Sequence, residues 1–269
     1  MLRLAAATAI ALLAGLPAVA ADAPKKILLV SSGPDGHPAT THEYVAGLEI
    51  VAKCLKPLAG TEVTTAKAEG AWKEGPELVR RSDVVVLYLS EGAKWLSADE
   101  KRLAAFREHA KRGGGLVVLH WGMGTKDAGP IEAFTSLFGA CHGGPDRKYK
   151  ELRTSLVVAN PSHPAATGIQ DFTIRDEFYY KLKLPKGDHA VKPVLLAEID
   201  GGKEMVAWSW ERPDGGRSFG FSGLHFHENW KRQEYRRLVA QGVRWTAKMP
   251  VPEKGLAVEL PDSAFELKK

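Results

Sequence analysis

The sequence predicts a mixed α/β fold. A mainly parallel sheet with helices on both faces fills its first half, and antiparallel strands are added in the second. Three observations carry this prediction. Short apolar runs alternate with helical patterns between residues 25 and 120. One of these runs, DVVVLYL at 83–89, is apolar from its second residue on, as a strand covered on both faces is. Five further strand-like runs then follow with little helix between them.

The elements follow in order. Residues 25–31, KKILLVS, form a first strand rich in Ile, Leu and Val. A Gly/Pro loop, SGPDGHPATTH, leads to a helix over 43–56. Residues 62–66 alternate apolar and polar as a second strand, and 76–81 form a short helical piece. The third strand is 83–89. Ser97-Ala-Asp-Glu100 reads as a capping box, and Leu103, Phe106 and Ala110 share one face of the helix it opens. Glycines at 113–115 close that helix before the fourth strand, 116–120. The strand-like runs of the second half are LRTSLVVA, DFTIRDEFYY, VKPVLLAEI, EMVAWSW and RSFGFSGL. PDGG at 213–216 makes the last two a hairpin. A final amphipathic helix over 233–248 carries Tyr235, Leu238, Val239 and Gly242 on one face. No linker separates the halves, so 25–248 reads as one domain and 249–269 as an irregular tail.

With 269 residues, 44% of them hydrophobic and 26% charged, the chain can bury a full core. Residues 1–20, MLRLAAATAIALLAGLPAVA, carry one early charge, an apolar run and a small-x-small site at Ala18-Val19-Ala20. This is the layout of a secretory signal peptide, and it predicts an exported protein, periplasmic or extracellular, with no membrane segment after cleavage. The net charge of +5 comes from scattered basic residues with no stripe of interleaved aromatics, which argues against a nucleic-acid partner. The two cysteines, Cys54 and Cys141, make no disulfide framework and read as small buried residues.

Sites in open parallel sheets form outside the C-terminal strand ends. There the sequence sets His37 and His42 after the first strand, Ser90 and Glu91 after the third, and His120 with Trp121 after the fourth. GLHFHENW follows the last strand and supplies His225 and His227, two apart and on one face if the strand runs through 227. His142 and His163 lie in loops, and Asp176 and Glu177 lie within DFTIRDEFYY. Of nine histidines, His109 and His189 read as surface residues.

Three chemistries stay open. His120, His225 and His227 are a ligand set for a divalent metal such as zinc, although no HExxH or CxxC is present. Acid/base catalysis needs only a histidine beside a carboxylate, here His120, His225 or His227 with Glu177. Packing of the histidines in the core is the third. There is no GxSxG, and Cys141 lies in a loop, so nucleophilic catalysis has little support. Trp121, Tyr179, Tyr180 and Trp230 stand beside the candidates, and aromatic faces beside polar groups suit a sugar ring.

GGGLVVLHWG at 113–122, NPSHPAATGIQDF with the following RDEFYY, and GGRSFGFSGLHFHENW with its helix together resemble the ThuA-like, or trehalose-utilisation, family over most of the chain. The resemblance implies a flavodoxin-like, class I glutamine amidotransferase-like three-layer sandwich. In those amidotransferases the strand matching 116–120 ends in a nucleophilic cysteine. Here the position falls at His120 and Trp121, which argues against glutamine hydrolysis. The resemblance also implies a role in catabolism of a glycoside or 3-keto-sugar, and a His/carboxylate site would serve it by hydrolase or by lyase- or isomerase-type acid/base chemistry. The alternative is a non-catalytic carbohydrate-binding module. In the enzyme reading His120, His225, His227 and Glu177 are catalytic. His37, Trp121, His142, Asp176, Tyr179 and Trp230 bind the small-molecule carbohydrate.

Overall fold

Runs of Ile, Leu and Val with no polar face need cover on both sides, and they form the centre of one large sheet. The computed structural model describes residues 23–187 and 190–267. The predicted signal peptide and His189 lie outside the described residues. In chain order the elements are β1 (Lys25–Ser31), α1 (Tyr44–Leu55), β2 (Thr61–Lys67), α2 (Gly75–Arg81), β3 (Val84–Tyr88), α3 (Gly92–Ser97), α4 (Glu100–Lys111) and β4 (Gly115–Leu119). Then come β5 (Gly124–Thr125), α5 (Ile131–Phe138), β6 (His142–Gly143), β7 (Lys148–Val158), β8 (Phe172–Tyr180), β9 (Lys192–Ile199), β10 (Gly202–Glu211), β11 (Arg217–Phe221) and α6 (Gln233–Thr246).

The main sheet runs β2-β1-β3-β4-β11-β10-β9-β7-β8. Pairing is parallel from β2 to β11 and antiparallel from β11 to β8. Every residue of β3 and β4 is buried. Helices α1 and α6 pack together on one face, and α2, α4 and α5 on the other. This is the expected three-layer sandwich, flavodoxin-like and class I glutamine amidotransferase-like, with added antiparallel strands. Helix α6 buries Tyr235, Leu238, Val239 and Gly242, the predicted face. Cys54 and Cys141 are both free and buried. Among the described residues no helix is long and apolar enough to cross a membrane.

Local details depart from the sequence reading. Ser97 does not cap α4. It ends α3, and Asp99 is the cap, its carboxylate accepting the Arg102 N–H at 2.7 Å. Helices α3 and α5 have six and eight residues, too short for a clear period. His109 is not a surface residue. It is 0% exposed and its Nε2 lies 3.0 Å from the Gly115 carbonyl. The tail holds one 3-10 turn, Asp262–Phe265, and buries Leu256, Val258 and Phe265.

Candidate functional site

The site begins where β4 ends. His120 has φ +45°, a left-handed conformation that costs a residue with a side chain about 1–3 kcal/mol. It opens the 3-10 turn His120–Met123 and is fully buried. Two contacts hold it. Its Nδ1 lies 2.7 Å from the Ser222 carbonyl, just past β11, and its ring stacks on Tyr179 at 4.5 Å. A carbonyl only accepts, so the imidazole proton sits on Nδ1 and Nε2 presents a bare lone pair.

The loop after β1 brings His42 to the same point. His42 also has a positive φ, +53°. Its N–H donates to the His225 carbonyl at 3.0 Å, and Thr41 bridges Phe226 across the two loops. The Tyr44 hydroxyl donates to Asp35 Oδ2 at 2.5 Å, and His42 Nδ1 lies 2.9 Å from that oxygen. Burial alone would raise the Asp35 carboxyl. Hydrogen bonds from His42, Tyr44 and His37 outweigh burial and hold it far below the usual carboxylate range. Asp35 is therefore ionised, His42 Nδ1 is the donor to it, and His42 Nε2 is bare.

Alternation along β8 separates two acids that are neighbours in sequence. Glu177 and Tyr179 face the cleft. Asp176 points the other way and is fully buried. It accepts N–H groups from Leu224 at 2.7 Å and His225 at 3.1 Å, and the Tyr235 hydroxyl at 3.0 Å. Asp176 thus holds the loop that carries His225, and does not line the cleft as a substrate-binding residue would. The ribbon β7–β8 reaches the ends of the parallel strands because β7 pairs with β9 only through Leu156, Val157 and Val158.

Four donor atoms converge. His120 Nε2 lies 3.0 Å from His42 Nε2, 3.4 Å from His225 Nδ1 and 3.8 Å from Glu177 Oε1. His225 Nδ1 and Glu177 Oε1 are 3.6 Å apart. All four atoms lie within 4.8 Å of one another. The Tyr179 hydroxyl approaches His120 Nε2 at 3.1 Å. Burial, then the neighbours His42 and His225, hold the His120 imidazole well below its ordinary value. Burial, then His42 and His37, take His225 down to about 4. Burial, then Asp176 and Glu151, push Glu177 up to about 7.

A cleft of about 300 Å³ opens over this cluster. Its walls are His37, Trp121, His142, Tyr149 and Tyr179, with Lys126 and Arg147 at hand. His142 stacks on Tyr179 at 3.9 Å with the planes 6° apart. Of the residues predicted from sequence, the structure brings together His120, His225 and Glu177 at the centre and His37, Trp121, His142 and Tyr179 on the walls. Three others lie elsewhere: Asp176, on the far face of β8, and His227 and Trp230. His227 opens a 3-10 turn, His227–Lys231, and its Nε2 lies 3.1 Å from the Phe265 carbonyl, outside the cluster. Trp230 is 0% exposed and packs on Tyr88 in the core. Asp35 and His42 are not among the residues expected from sequence to form the site, although both stand in the same Gly/Pro loop as His37. Lys126, Arg147 and Tyr149 carried no signal.

The arrangement can bind a cation, move protons and hydrogen-bond hydroxyls. It offers no thiol nucleophile, because Cys141 is buried, its Sγ 3.2 Å from the Met123 carbonyl, and burial pushes its thiol up.

A model of the ThuA family, described as trehalose utilisation, matches residues 28–246. No curated protein matches the chain. A ThuA-like protein from Bacteroides uniformis is 18% identical with a TM-score of 0.63, over 86% of this chain and 95% of that one. One from Parabacteroides merdae is 15% identical with a TM-score of 0.63, over 91% and 100%. A cold-adapted beta-galactosidase from Rahnella sp. R3 is 10% identical with a TM-score of 0.54, and the match covers 85% of this chain and 32% of that one. At these identities the likeness is one of fold.

Proposed function

The chain belongs to the ThuA family, and from that premise we propose that it is an exported enzyme of carbohydrate catabolism acting on a sugar or keto-sugar. The observation that carries the reading is the convergence of His42, His120, His225 and Glu177 beneath a cleft walled by aromatic rings. Polar groups meeting at the base of a concave, partly apolar pocket are what a small-molecule site requires. The N-terminal signal pattern supports export.

The donor set also favours one class of reaction. Most glycoside hydrolysis uses two carboxylates flanking the scissile bond. Among the described residues Glu177 is the one carboxylate on the cleft wall, since Asp35 is bound to His42 and Asp176 is turned away. One base is enough to take the proton from a carbon beside a ketone, the step that lyases and isomerases of keto-sugars share. Glu177 is the base in this reading, through the carboxylate oxygen that does not face the histidines. Lys126 and Arg147 at the cleft supply positive charge for the oxygen that becomes negative, and Trp121, His142 and Tyr179 hold the ring.

The test is to incubate the purified protein with glycosides and with their 3-keto forms and follow product by mass spectrometry. Turnover of a keto form, reduced at least about 100-fold in Glu177→Gln, is the expected result. Saturable binding without any product, in protein of confirmed fold, would replace the enzyme by a binding module.

A further inference from the structure

The tautomers at the cluster leave an electrostatic problem. His120 Nδ1 donates to Ser222 O and His42 Nδ1 donates to Asp35, so both Nε2 atoms are unprotonated in the neutral rings. Yet these two lone pairs face each other at 3.0 Å. Two acceptors at that distance repel unless something positive lies between them or beside them. The Tyr179 hydroxyl carries one proton and satisfies at most one nitrogen. A shared proton would serve one N···N pair only. It would leave Glu177 Oε1 pointing into the same space at 3.6 and 3.8 Å, too far to accept a hydrogen bond.

We propose that His42 Nε2, His120 Nε2 and His225 Nδ1, with Glu177 Oε1 as fourth donor, bind one divalent first-row transition-metal cation of the zinc type. Three neutral imidazoles and one carboxylate are the donor chemistry such ions take. The spacing agrees. Ligands bonded at about 2.0–2.2 Å and roughly 90–110° apart lie about 3.0–3.5 Å from one another. The His120 imidazole nitrogen lies 3.0 and 3.4 Å from those of His42 and His225, and the carboxylate needs only a small approach. The outer groups agree as well. Metal-bound histidines donate their other N–H to a carboxylate or carbonyl, which is what Asp35 and Ser222 accept here. Left-handed backbone at His42 and His120 aims the two rings at one point. His37 and Asp35 form a neighbouring group with His42, but there the carboxylate already takes the protons of both imidazoles and of Tyr44.

The cation's task, to hold the oxygen that gains charge, rests on the catalytic reading above. Its binding does not, so the two can fail separately. The test is cobalt(II) binding to untagged protein first stripped with chelator, read by visible absorption and by metal analysis. One equivalent per chain is expected, with ligand-field bands of a nitrogen-rich site, displaced by zinc. His225→Ala should lose most of this binding, and Glu177→Gln should weaken it about 10-fold or more. Asp35→Asn, which removes the charge of the outer carboxylate, should weaken it about 10–100-fold. His37→Ala should leave it unchanged. Thermal melts of each variant without metal confirm the fold. Absence of saturable binding in folded wild type would overturn the proposal. So would binding that survives His225→Ala and Glu177→Gln but is lost in His37→Ala, which would move the ion to the other group.

Discussion

The Asp176 carboxylate accepts the backbone N–H of His225 at 3.1 Å across 49 residues, while its own neighbour Glu177 faces the cleft on the opposite side of β8. One strand therefore supplies the site with a donor and also fixes the loop that carries a second donor. Leu224, with φ +83°, is held by the same carboxylate through its N–H at 2.7 Å, and its carbonyl accepts the Tyr88 hydroxyl at 2.6 Å. In Asp176→Asn an NH2 group must face donors that now meet a carboxylate. The expected cost is about 2–4 kcal/mol in urea unfolding, with weaker cobalt binding than wild type. An unchanged midpoint would show that the loop is held by other contacts.

Acid should destabilise the fold through histidines that are neutral when buried. His109 is the clearest, because it lies outside the site, against the Gly115 carbonyl and Arg112. Burial, opposed by the bond to Gly115, brings its imidazole down to about 4. The unfolded chain protonates it near its ordinary value of about 6.5, so between these values the unfolded state binds more protons. The stability present above pH 6.5 is then lost as the pH falls toward 4, by about 3 kcal/mol from this residue. His109→Gln, which can still donate and accept, should flatten the fall in unfolding free energy by up to about 1.4 kcal/mol per pH unit. An unaltered slope would count against this placement of the proton.

The elbow at His120 depends on a close approach of backbone to backbone. Gly92, at the start of α3, packs against the carbonyl of Gly122, and a Cβ there would overlap that oxygen. Gly92→Ala should lower stability by about 1–3 kcal/mol and disturb the turn that aims His120. Gly129→Ala is the control, since a Cβ there meets nothing within 4 Å. Equal melting temperatures for the two variants would refute the argument.

Elements defined by their own composition could be read from the sequence. The strands VVVLY at 84–88 and GLVVL at 115–119 carry no charged residue because both faces are covered, and that requirement shows in the residues themselves. Features set by long-range contacts could not. Ser97 has the capping pattern, but α3 claims it and Asp99 caps instead. Trp230 looks like a cleft aromatic by position, yet the space beside Tyr88 and Gly47 takes it into the core. His42 was visible as a loop histidine. Its role follows from left-handed backbone and a bridge to Phe226, neither of which the loop sequence announces.

The sharpest contrast lies within GLHFHENW. Residues two apart share a face only while the strand continues, and β11 ends at Phe221. The His227 N–H is tied to the Thr40 carbonyl at 2.8 Å, and the 3-10 turn beginning at His227 swings its ring to the Phe265 carbonyl. His225 instead turns toward His120 and Glu177. The two histidines should then respond oppositely to removal. His227→Ala loses one hydrogen bond to the tail, costs about 1 kcal/mol in unfolding, and keeps cobalt binding and turnover. His225→Ala keeps the fold, because its loop is anchored through backbone groups to Asp176, and loses both. Equal loss of cobalt binding in the two variants would mean that the chain runs straight through Phe226 and that both rings serve the site.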